Sequence, residues 1–559
     1  MEKNTVLAFV LSGLVLIGWF YFMAPPPQPQ ETVIGEDAPI ENTVSETDKS
    51  DSDSVKEPVD EALASDSTVS PLIEEALEEE FISFKTDIYD ITLSSKGARI
   101  TSFKYGERNI ELALPFENNP EGFDYNFYFK EKNFSSDKES ANIIWKVHEK
   151  NVKSVTFAKN EIVSGKTIVV YKKYDFIDGH SFSLSYQFYN PEETSVYLPE
   201  EGIIFSSADF LGPKMDDYTN SFNLLKSFYY SDKKRSLSKG AGFLGGLFSE
   251  PVDIKRVDEK IKWSAIVSRY FVSVMYSDKE AADGLFFDSR NLTSHKSGQF
   301  FKKESLKPGS NEYKFKVVVS EKNKAVLKDI NPILEDASDT SKWIDPIRIV
   351  VVWALKKING VVPNFGWSIV IFSILSKLIL LPLTHKSTQS MKKMSELQPE
   401  IKKLKEKYKD NPQESQKKMM ELYKQKGVNP MGGCLPMLVQ MPFFIALYSA
   451  LSNSVDMWNS PFIFWIKDLS SPETLFTIAG LDIHVLPLIM TVASFLQQKV
   501  SATDTGAAGQ QQMVMKMMPV ILLFVFWRMP SGLIIYWTIQ NIIQVIHQVI
   551  VNHKSVKQS

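Results

Sequence analysis

An apolar run with one charge inside it constrains this chain more than any other feature. Residues 361–384 contain a single charged side chain, Lys377. A run of this length can cross a bilayer as a helix, but a cation in hydrocarbon costs at least a few kcal/mol. Lys377 lies eight residues before His385, which is about 12 Å along a helix. The lysine therefore either extends to the cytoplasmic surface or lines a wet cavity, and the residues alone favour neither.

The composition describes a large chain with unevenly distributed charge. It has 559 residues, enough for several domains, and a formal net charge of −4, which favours no class of partner. Acidic residues are concentrated in the first 80 residues, and lysines in residues 386–426. Cys434 is the only cysteine, which excludes an intramolecular disulfide framework.

The N-terminus predicts an anchor followed by a tether. Residues 5–23 carry no charge and end in aromatic residues, as a membrane span does. A cleaved signal peptide is the alternative, but the prolines at 25–27 disfavour cleavage there. Residues 30–80 hold 17 acidic residues against Lys49 and Lys56, so we expect residues 24–80 to form a disordered, solvated linker.

A period of two in residues 81–325 predicts an all-β sandwich. Phe182, Leu184, Tyr186 and Phe188 alternate with polar residues, and Asp178-Gly179 is typical of a two-residue hairpin turn. The glycine-rich residues 240–246 lack the Gly-Lys-Ser/Thr ending of a phosphate-binding loop. No spacing of histidine, cysteine and carboxylate residues in this region indicates a metal or catalytic site.

Two helical patterns flank the charged span. Residues 339–360 predict an amphipathic helix that lies on a membrane, or alternatively packs on the β domain. Residues 385–427 contain 12 lysines and six acidic residues and predict a basic helical hairpin, with Asn411 as the N-cap of its second arm. The lysine excess places this hairpin in the cytoplasm. Interleaved glutamates argue against nucleic acid, whereas a lipid-headgroup or ribosomal contact remains an alternative.

The remaining sequence predicts four further spans, giving six in total with both termini in the cytoplasm. Arg528 is the one cation that opposes this orientation. The predicted segments are the anchor 1–23, linker 24–80, β domain 81–325, interfacial helix 339–360, second span 361–384, cytoplasmic hairpin 385–427, third span 431–451, periplasmic loop 452–482, fourth span 483–498, cytoplasmic loop 499–512, fifth span 513–528, sixth span 533–552 and cytoplasmic tail 553–559.

Amide side chains occur inside the predicted third and sixth spans. Gln540 and Gln544 share one helix face, with Asn541 beside them, and Gln440 lies in the third span. Amides are tolerated in hydrocarbon when they face protein or a water-filled cavity. They therefore either join helices or line a cavity with Lys377.

Several motifs resemble the bacterial YidC membrane-protein insertases. Residues 427–444, Gly-Val-Asn-Pro-Met-Gly-Gly-Cys-Leu-Pro-Met-Leu-Val-Gln-Met-Pro-Phe-Phe, closely resemble the third-span motif of that family. Residues 381–384, 397–399 and 530–533 resemble other parts of its core. The core resemblance covers residues 340–552. The anchor and β domain look like the form found in bacteria with two membranes, in which the periplasmic domain is a β-supersandwich.

The resemblance implies a five-helix insertase core around a groove that is open to the cytoplasm and lipid but closed to the periplasm. Lys377 corresponds to a groove cation that is arginine in most relatives, and Ser373 to a groove threonine. A buried lysine, unlike arginine, can lose its proton. Tyr536 and Trp537 look like an aromatic pair that touches substrate helices. The candidate groove residues are Lys377, Ser373, Gln440, Tyr536, Trp537, Asn541 and Gln544.

The resemblance further implies an inner-membrane insertase and chaperone, acting alone or with the Sec translocon. Its expected partners are nascent membrane proteins, the bilayer, Sec components, and the ribosome and signal-recognition components as further candidates. No cofactor, metal or covalent chemistry is expected, and residues 24–360 are expected in the periplasm. A solute transporter would want inverted repeats and paired intramembrane charges, which the sequence lacks. A ligand-binding receptor is a third hypothesis, tested by deleting about residues 90–310.

Overall fold

A computed structural model of the chain describes residues 78–113, 122–129, 142–176, 179–215, 223, 225–237, 255–291, 294–339, 344–409, 411–428, 435–478, 481–501 and 509–556. The predicted anchor and nearly all of the acidic linker lie outside the described residues. So do the glycine-rich residues 240–246, residues 502–508 of the predicted loop 499–512, and the end of the tail.

Strands fill the region in which the sequence alternates, and they form a β-sheet-rich domain. In chain order they are β1 Phe81–Lys85, β2 Tyr89–Ser94, β3 Arg99–Tyr105, β4 Ile110–Glu111, β5 Phe127–Tyr128, β6 Lys146–Lys150, β7 Ser154–Val163, β8 Lys166–Asp175, β9 Ser181–Asn190, β10 Val196–Tyr197, β11 Ile203–Ser206, β12 Lys226–Tyr230, β13 Lys234–Ser236, β14 Lys255–Val257, β15 Trp263–Val267, β16 Phe271–Tyr276, β17 Gly284–Asn291, β18 Ser294–Phe301, β19 Ser305–Leu306 and β20 Gly309–Glu321.

The largest sheet has the order β13-β12-β15-β16-β20-β9-β8-β7-β6, and its paired strands are antiparallel. A five-stranded sheet, β14-β17-β18-β11-β5, and a four-stranded sheet, β1-β2-β3-β4, contribute to the same domain. One apolar cluster joins residues from all three sheets, including Ile91, Tyr186 and Phe205. The prediction of a large all-β domain is confirmed at this level.

The alternation predicts which side chains enter this core. Phe182, Leu184, Tyr186 and Phe188 of β9 are all buried, as the period of two requires. The antiparallel pairing of β8 with β9, which places Asp175 opposite Ser183, agrees with the predicted hairpin. Asp178 of the predicted turn lies outside the described residues, so the type of that turn stays a prediction.

Helices dominate the chain after β20. In chain order they are α1 Lys324–Ile330, α2 Asp345–Asn359, α3 Phe365–Glu396, α4 Gln398–Lys407, α5 Pro412–Gln425, α6 Leu435–Asn453, α7 Val485–Ser501, α8 Gly509–Phe526 and α9 Ser531–Val556. Short 3-10 helices span Pro332–Ser338 and Val455–Met457, and a small hairpin, β21 Phe476–Ile478 with β22 Leu481–Ile483, precedes α7.

Among the described residues, two helical stretches are long and apolar enough to cross a membrane, Phe365–Ser390 in α3 and Ser531–Val551 in α9. Val485–Val500 and Met517–Phe526 are shorter apolar helices. The count of six spans stays a prediction.

Helix α3 is continuous across the predicted boundary between the second span and the cytoplasmic hairpin at residue 384. Pro382 lies inside it, and the helix ends only at Glu396. The next proline, Pro399, is at the start of α4, and helices commonly end just before such a position. The predicted span and the first part of the predicted hairpin, up to Glu396, therefore form one continuous helix.

The hairpin and the amphipathic helix have clear packing partners. Asn411 caps α5, accepting a hydrogen bond from the Glu414 backbone N–H at 3.2 Å, as its sequence signature predicts. Apolar residues of α4 and α5, including Ile401 and Leu422, form the seam between the two arms. Helix α2 packs against α6 and α3 through Leu355 and neighbouring apolar residues.

Candidate polar groove between three helices

Helix α3 has two faces of opposite character. Lys377 is only 6% exposed, and Ser373 and Ser376 on the same side are also buried. Leu378 and Ile379 lie on the other side and are 56% and 77% exposed. An apolar exposed face on a long apolar helix suits lipid, while its buried polar face must be satisfied by protein or water. Lys377 belongs to the protein-facing side.

The serines of this face satisfy their hydroxyl groups within α3. The Ser373 hydroxyl donates to the Ile369 carbonyl at 2.6 Å, and the Ser376 hydroxyl donates to the Ser373 carbonyl at 3.0 Å. Serine in a helix commonly bonds to a carbonyl of the preceding turn. The serines can thus be buried without the cost of an unpaired donor.

Gln540 of α9 joins this face directly. Its Nε2 donates to the Ser373 carbonyl at 2.9 Å and to the Ser376 hydroxyl at 3.1 Å. Its Oε1 is buried and has no hydrogen-bond partner among the described residues. Sequence reasoning singled out Gln540 as a polar residue of the sixth span but did not pair it with Ser376. The sequence feature that could have identified Ser376 as a site residue is its position directly before Lys377.

A third helix, α6, contributes Gln440 to this site. The Gln440 Nε2 donates to the Tyr536 hydroxyl at 3.4 Å, a long hydrogen bond between α6 and α9. Tyr536 is almost fully buried, and its ring lies 6.4 Å from that of Phe372 on α3. Six side chains from α3, α6 and α9 are called the polar cluster below: Lys377, Ser373, Ser376, Gln440, Tyr536 and Gln540.

Three of the predicted site residues lie outside the polar cluster. Trp537 packs in an aromatic group with Phe444 and Phe526, at ring distances of 5.1 and 5.5 Å. Asn541 donates to the Ser494 hydroxyl of α7 at 2.8 Å. Successive residues on a helix point about 100° apart, so Tyr536 and Trp537 face different neighbours. Gln544 is half-buried on α9.

Lys377 has no carboxylate partner within the part of the chain that the structure describes. His547 of α9 lies within electrostatic range of Lys377, and its ring is 5.9 Å from that of His385 on α3. A buried cation without an anionic partner is costly, so water or an incoming anionic group must solvate it. The arrangement suits transient electrostatic contact.

The cluster does not have the composition of a metal or catalytic centre. Over the described ranges, no group of three or more His, Cys, Asp or Glu side chains is placed to hold a metal ion. The groups present are hydroxyls, amides and one ammonium, which can donate hydrogen bonds and offer positive charge. Such groups can solvate a polar segment as it passes between apolar walls.

The membrane half of the chain matches a family of inner-membrane proteins. The model of the family described as 60Kd inner membrane protein matches residues 357–558, which include the whole polar cluster. A membrane protein insertase YidC from Pelobacter propionicus is 30% identical, and the match covers 99% of this chain and 99% of the relative. The corresponding insertase from Leptospira interrogans serovar Lai is 29% identical over 99% and 97% of the two chains.

These full-length matches define the family: the chain belongs to the YidC membrane protein insertases. A YidC insertase crystal structure with its first transmembrane domain resolved covers 85% of this chain at 19% identity, with a TM-score of 0.34. The full-length sequence matches confirm the resemblance inferred from the motifs, and with it the prediction that the chain is an insertase family member and not an enzyme.

Proposed function

We propose that this chain inserts and helps to fold integral inner-membrane proteins through a groove whose wall is the polar cluster and whose positive charge is Lys377. One observation carries the proposal: Lys377 is buried on the protein-facing side of α3, and no described carboxylate pairs with it. A structural lysine at that depth would be expected to have a fixed partner.

The mechanism reduces the cost of moving a polar client segment into the bilayer. Hydroxyls and amides from α3, α6 and α9 replace part of the hydration shell of the segment, and Lys377 offers a counter-charge to acidic residues. Charges near a protein surface interact by about 4 kcal/mol at 4 Å with an effective dielectric constant near 20. The segment then leaves towards lipid between the exposed apolar faces of the helices.

The membrane orientation belongs to the same proposal. The amino and carboxyl termini are cytoplasmic, residues 24–360 are periplasmic, and the basic hairpin of α4 and α5 lies in the cytoplasm. Lysine-rich loops on the cytoplasmic side support this orientation. On α5, the exposed side chains of Lys417, Met420 and Lys424 form a surface on which the ribosome, signal-recognition components or the Sec translocon are candidate partners.

Substitution of Lys377 tests the groove. Lys377→Arg should retain insertion, because it keeps the charge, and Lys377→Ala should lower insertion of a reporter with an acidic translocated loop about fivefold or more, as expected for loss of roughly 1 kcal/mol of charge interaction. The measurement is protease protection of the reporter loop in cells depleted of the endogenous insertase, with each variant at equal abundance.

Two controls make this result specific. Lys386→Ala removes an exposed lysine from the same helix and should leave insertion unchanged. A reporter with a neutral loop should depend on Lys377 less than the acidic one does. Equal insertion of both reporters by wild type and Lys377→Ala would refute the role of the lysine.

A further inference from the structure

A single turn of the β domain contacts the ends of two helices that carry the polar cluster. The turn lies between β15 and β16 and places Arg269 in a buried position. The guanidinium Nε donates to the Ser452 carbonyl at 2.9 Å, Nη2 donates to the Ser470 carbonyl, and Nη1 donates to the Asn223 side chain at 3.0 Å. These residues are distant in sequence and come together only here.

The first contact is with the C-terminus of α6. Ser452 lies in the last turn of that helix, where carbonyl groups lack helical partners and carry partial negative charge. Arg269 forms no ion pair with a carboxylate among the described residues, so carbonyl and amide oxygens solvate its charge. Lys322 of the β domain supports the same helix end, donating to the Asn453 side chain at 2.7 Å.

The second contact reaches α9 through the segment 469–471. The carbonyls of Leu469 and Ser471 accept hydrogen bonds from the backbone N–H groups of Gly532 and Ser531, at 3.0 and 2.9 Å. These are the first residues of α9, whose N–H groups need partners. The intervening carbonyl, that of Ser470, points the other way and accepts from Arg269. The segment is therefore held between the β domain and α9.

Tyr270 strengthens the same junction. Its hydroxyl lies 2.8 Å from the Ser470 hydroxyl, and its ring lies 6.1 Å from Trp458, which follows α6. The junction of Arg269 and Tyr270 with residues 452 and 469–471 is called the latch below. Directly beneath it, Ile369 of α3 is fully buried, and its Cδ1 would lie 2.9 Å from a Cβ added at Gly532. Helices α3 and α9 therefore pack closely at this level.

We propose that Arg269 is a positioning residue that holds the extracytoplasmic ends of α6 and α9 in register and so keeps the groove closed on that side. A planar guanidinium reaches two carbonyls of different segments at fixed angles, which an ammonium cannot do. The inference rests on the proposed function only for the direction in which the groove opens. It assigns the β domain turn a part in sealing the membrane half.

Thiol labelling from the extracytoplasmic side tests the latch in the full-length chain. In a Cys434→Ser background, Ile369→Cys places a single thiol beneath the latch, and labelling of intact spheroplasts with a membrane-impermeant maleimide reports its access to water. We expect slow labelling with Arg269 in place and a rate about tenfold higher or more with Arg269→Ala, as expected when charge-assisted hydrogen bonds are lost. Arg269→Lys should fall between these rates.

The control variants distinguish an effect on the latch from a general loss of protein stability. Arg256→Ala removes an arginine of β14 that pairs with Asp258 on the domain surface, and it should leave the labelling rate unchanged. Ile162→Cys, exposed on β7, gives the rate of a fully accessible thiol. Thermal unfolding of each purified variant shows whether it is folded. If Arg269→Ala does not accumulate, the test uses Arg269→Lys and Tyr270→Phe instead. Each should raise the labelling rate of the Ile369→Cys thiol above the rate with Arg269 and Tyr270 in place.

The outcomes are distinguishable from those of the groove experiment. An unchanged labelling rate in a folded Arg269→Ala variant, or an equal rise in Arg256→Ala, would overturn the latch. Neither result bears on Lys377, because no client is inserted in this assay. Conversely, loss of the Lys377 effect on insertion would leave the labelling result standing.

Discussion

At the scale of single residues, local spacing places side chains on one face but does not choose their partners. Ser373 and Lys377 are one turn apart, so the sequence puts them side by side on α3. Whether that face is turned to lipid or to protein depends on α9, which supplies Gln540 to the same surface. Lys377 itself is buried.

A histidine inside the β domain gives a pH prediction at this scale. His295 on β18 is 2% exposed and lies 2.9 Å from the Ser227 hydroxyl. Burial lowers the pKa of His295 to about 4, although Asp288 acts in the opposite direction. In the unfolded chain its pKa is about 6.5. Between these values the unfolded chain binds a proton that the folded chain does not, so the free energy of unfolding falls as the pH decreases from about 6.5 to 4, by about 3 kcal/mol in total.

The measurement is the thermal unfolding midpoint of the full-length chain in detergent between pH 7 and pH 5, followed by circular dichroism. His295→Gln should show a smaller decrease than wild type, because it removes the titrating group. His148→Gln, on the exposed edge strand β6, is the matched control. An identical decrease in His295→Gln and wild type would contradict the prediction.

At the scale of elements, capping and breaker residues act locally, and the sequence anticipates them well. Asn411 starts α5 as expected, because the cap and its partner Glu414 are three residues apart. The predicted boundary between the second span and the hairpin, at residue 384, rests on the change from apolar to basic residues. Backbone hydrogen bonds do not depend on that change, and α3 continues to Glu396.

The start of α7 depends on a cap that comes from a distant residue. Glu473 is buried, and its two carboxylate oxygens accept from the Leu486 backbone N–H and from the Trp465 indole N–H, both at 2.6 Å. An acidic group at a helix N-terminus is stabilising. Glu473→Gln keeps the shape of the side chain but provides only one acceptor oxygen, so one buried donor loses its partner.

We expect Glu473→Gln to destabilise the protein by about 1–3 kcal/mol, the cost of one unpaired buried group. A lower thermal unfolding midpoint in detergent would show this. Asp482→Asn, which changes an exposed carboxylate of the adjacent β21–β22 hairpin, serves as the control. Equal midpoints for Glu473→Gln and Asp482→Asn would argue against the cap.

At the scale of the whole molecule, the prediction of membrane topology can be tested directly. In the Cys434→Ser background, Ile162→Cys in the β domain should react with an impermeant maleimide in intact spheroplasts. Met420→Cys on α5 should react only after lysis. Both positions are exposed, so access to the reagent and not burial decides the outcome. Labelling of Met420→Cys in intact spheroplasts would refute a cytoplasmic hairpin.

The sequence by itself determined the kinds of element and their approximate order. Alternation in β9, helical periodicity with caps in α5, and a lysine within an apolar run are properties of neighbouring residues, so they can be read without the fold. Tertiary structure decided what depends on distant residues: the position of β20 between β16 and β9, the Gln540 contact with α3, and the contact of Arg269 with Ser452 and Ser470. Arg269 lies 183 residues from Ser452 in the chain, and no local pattern encodes a bond between groups that meet only when both halves have folded.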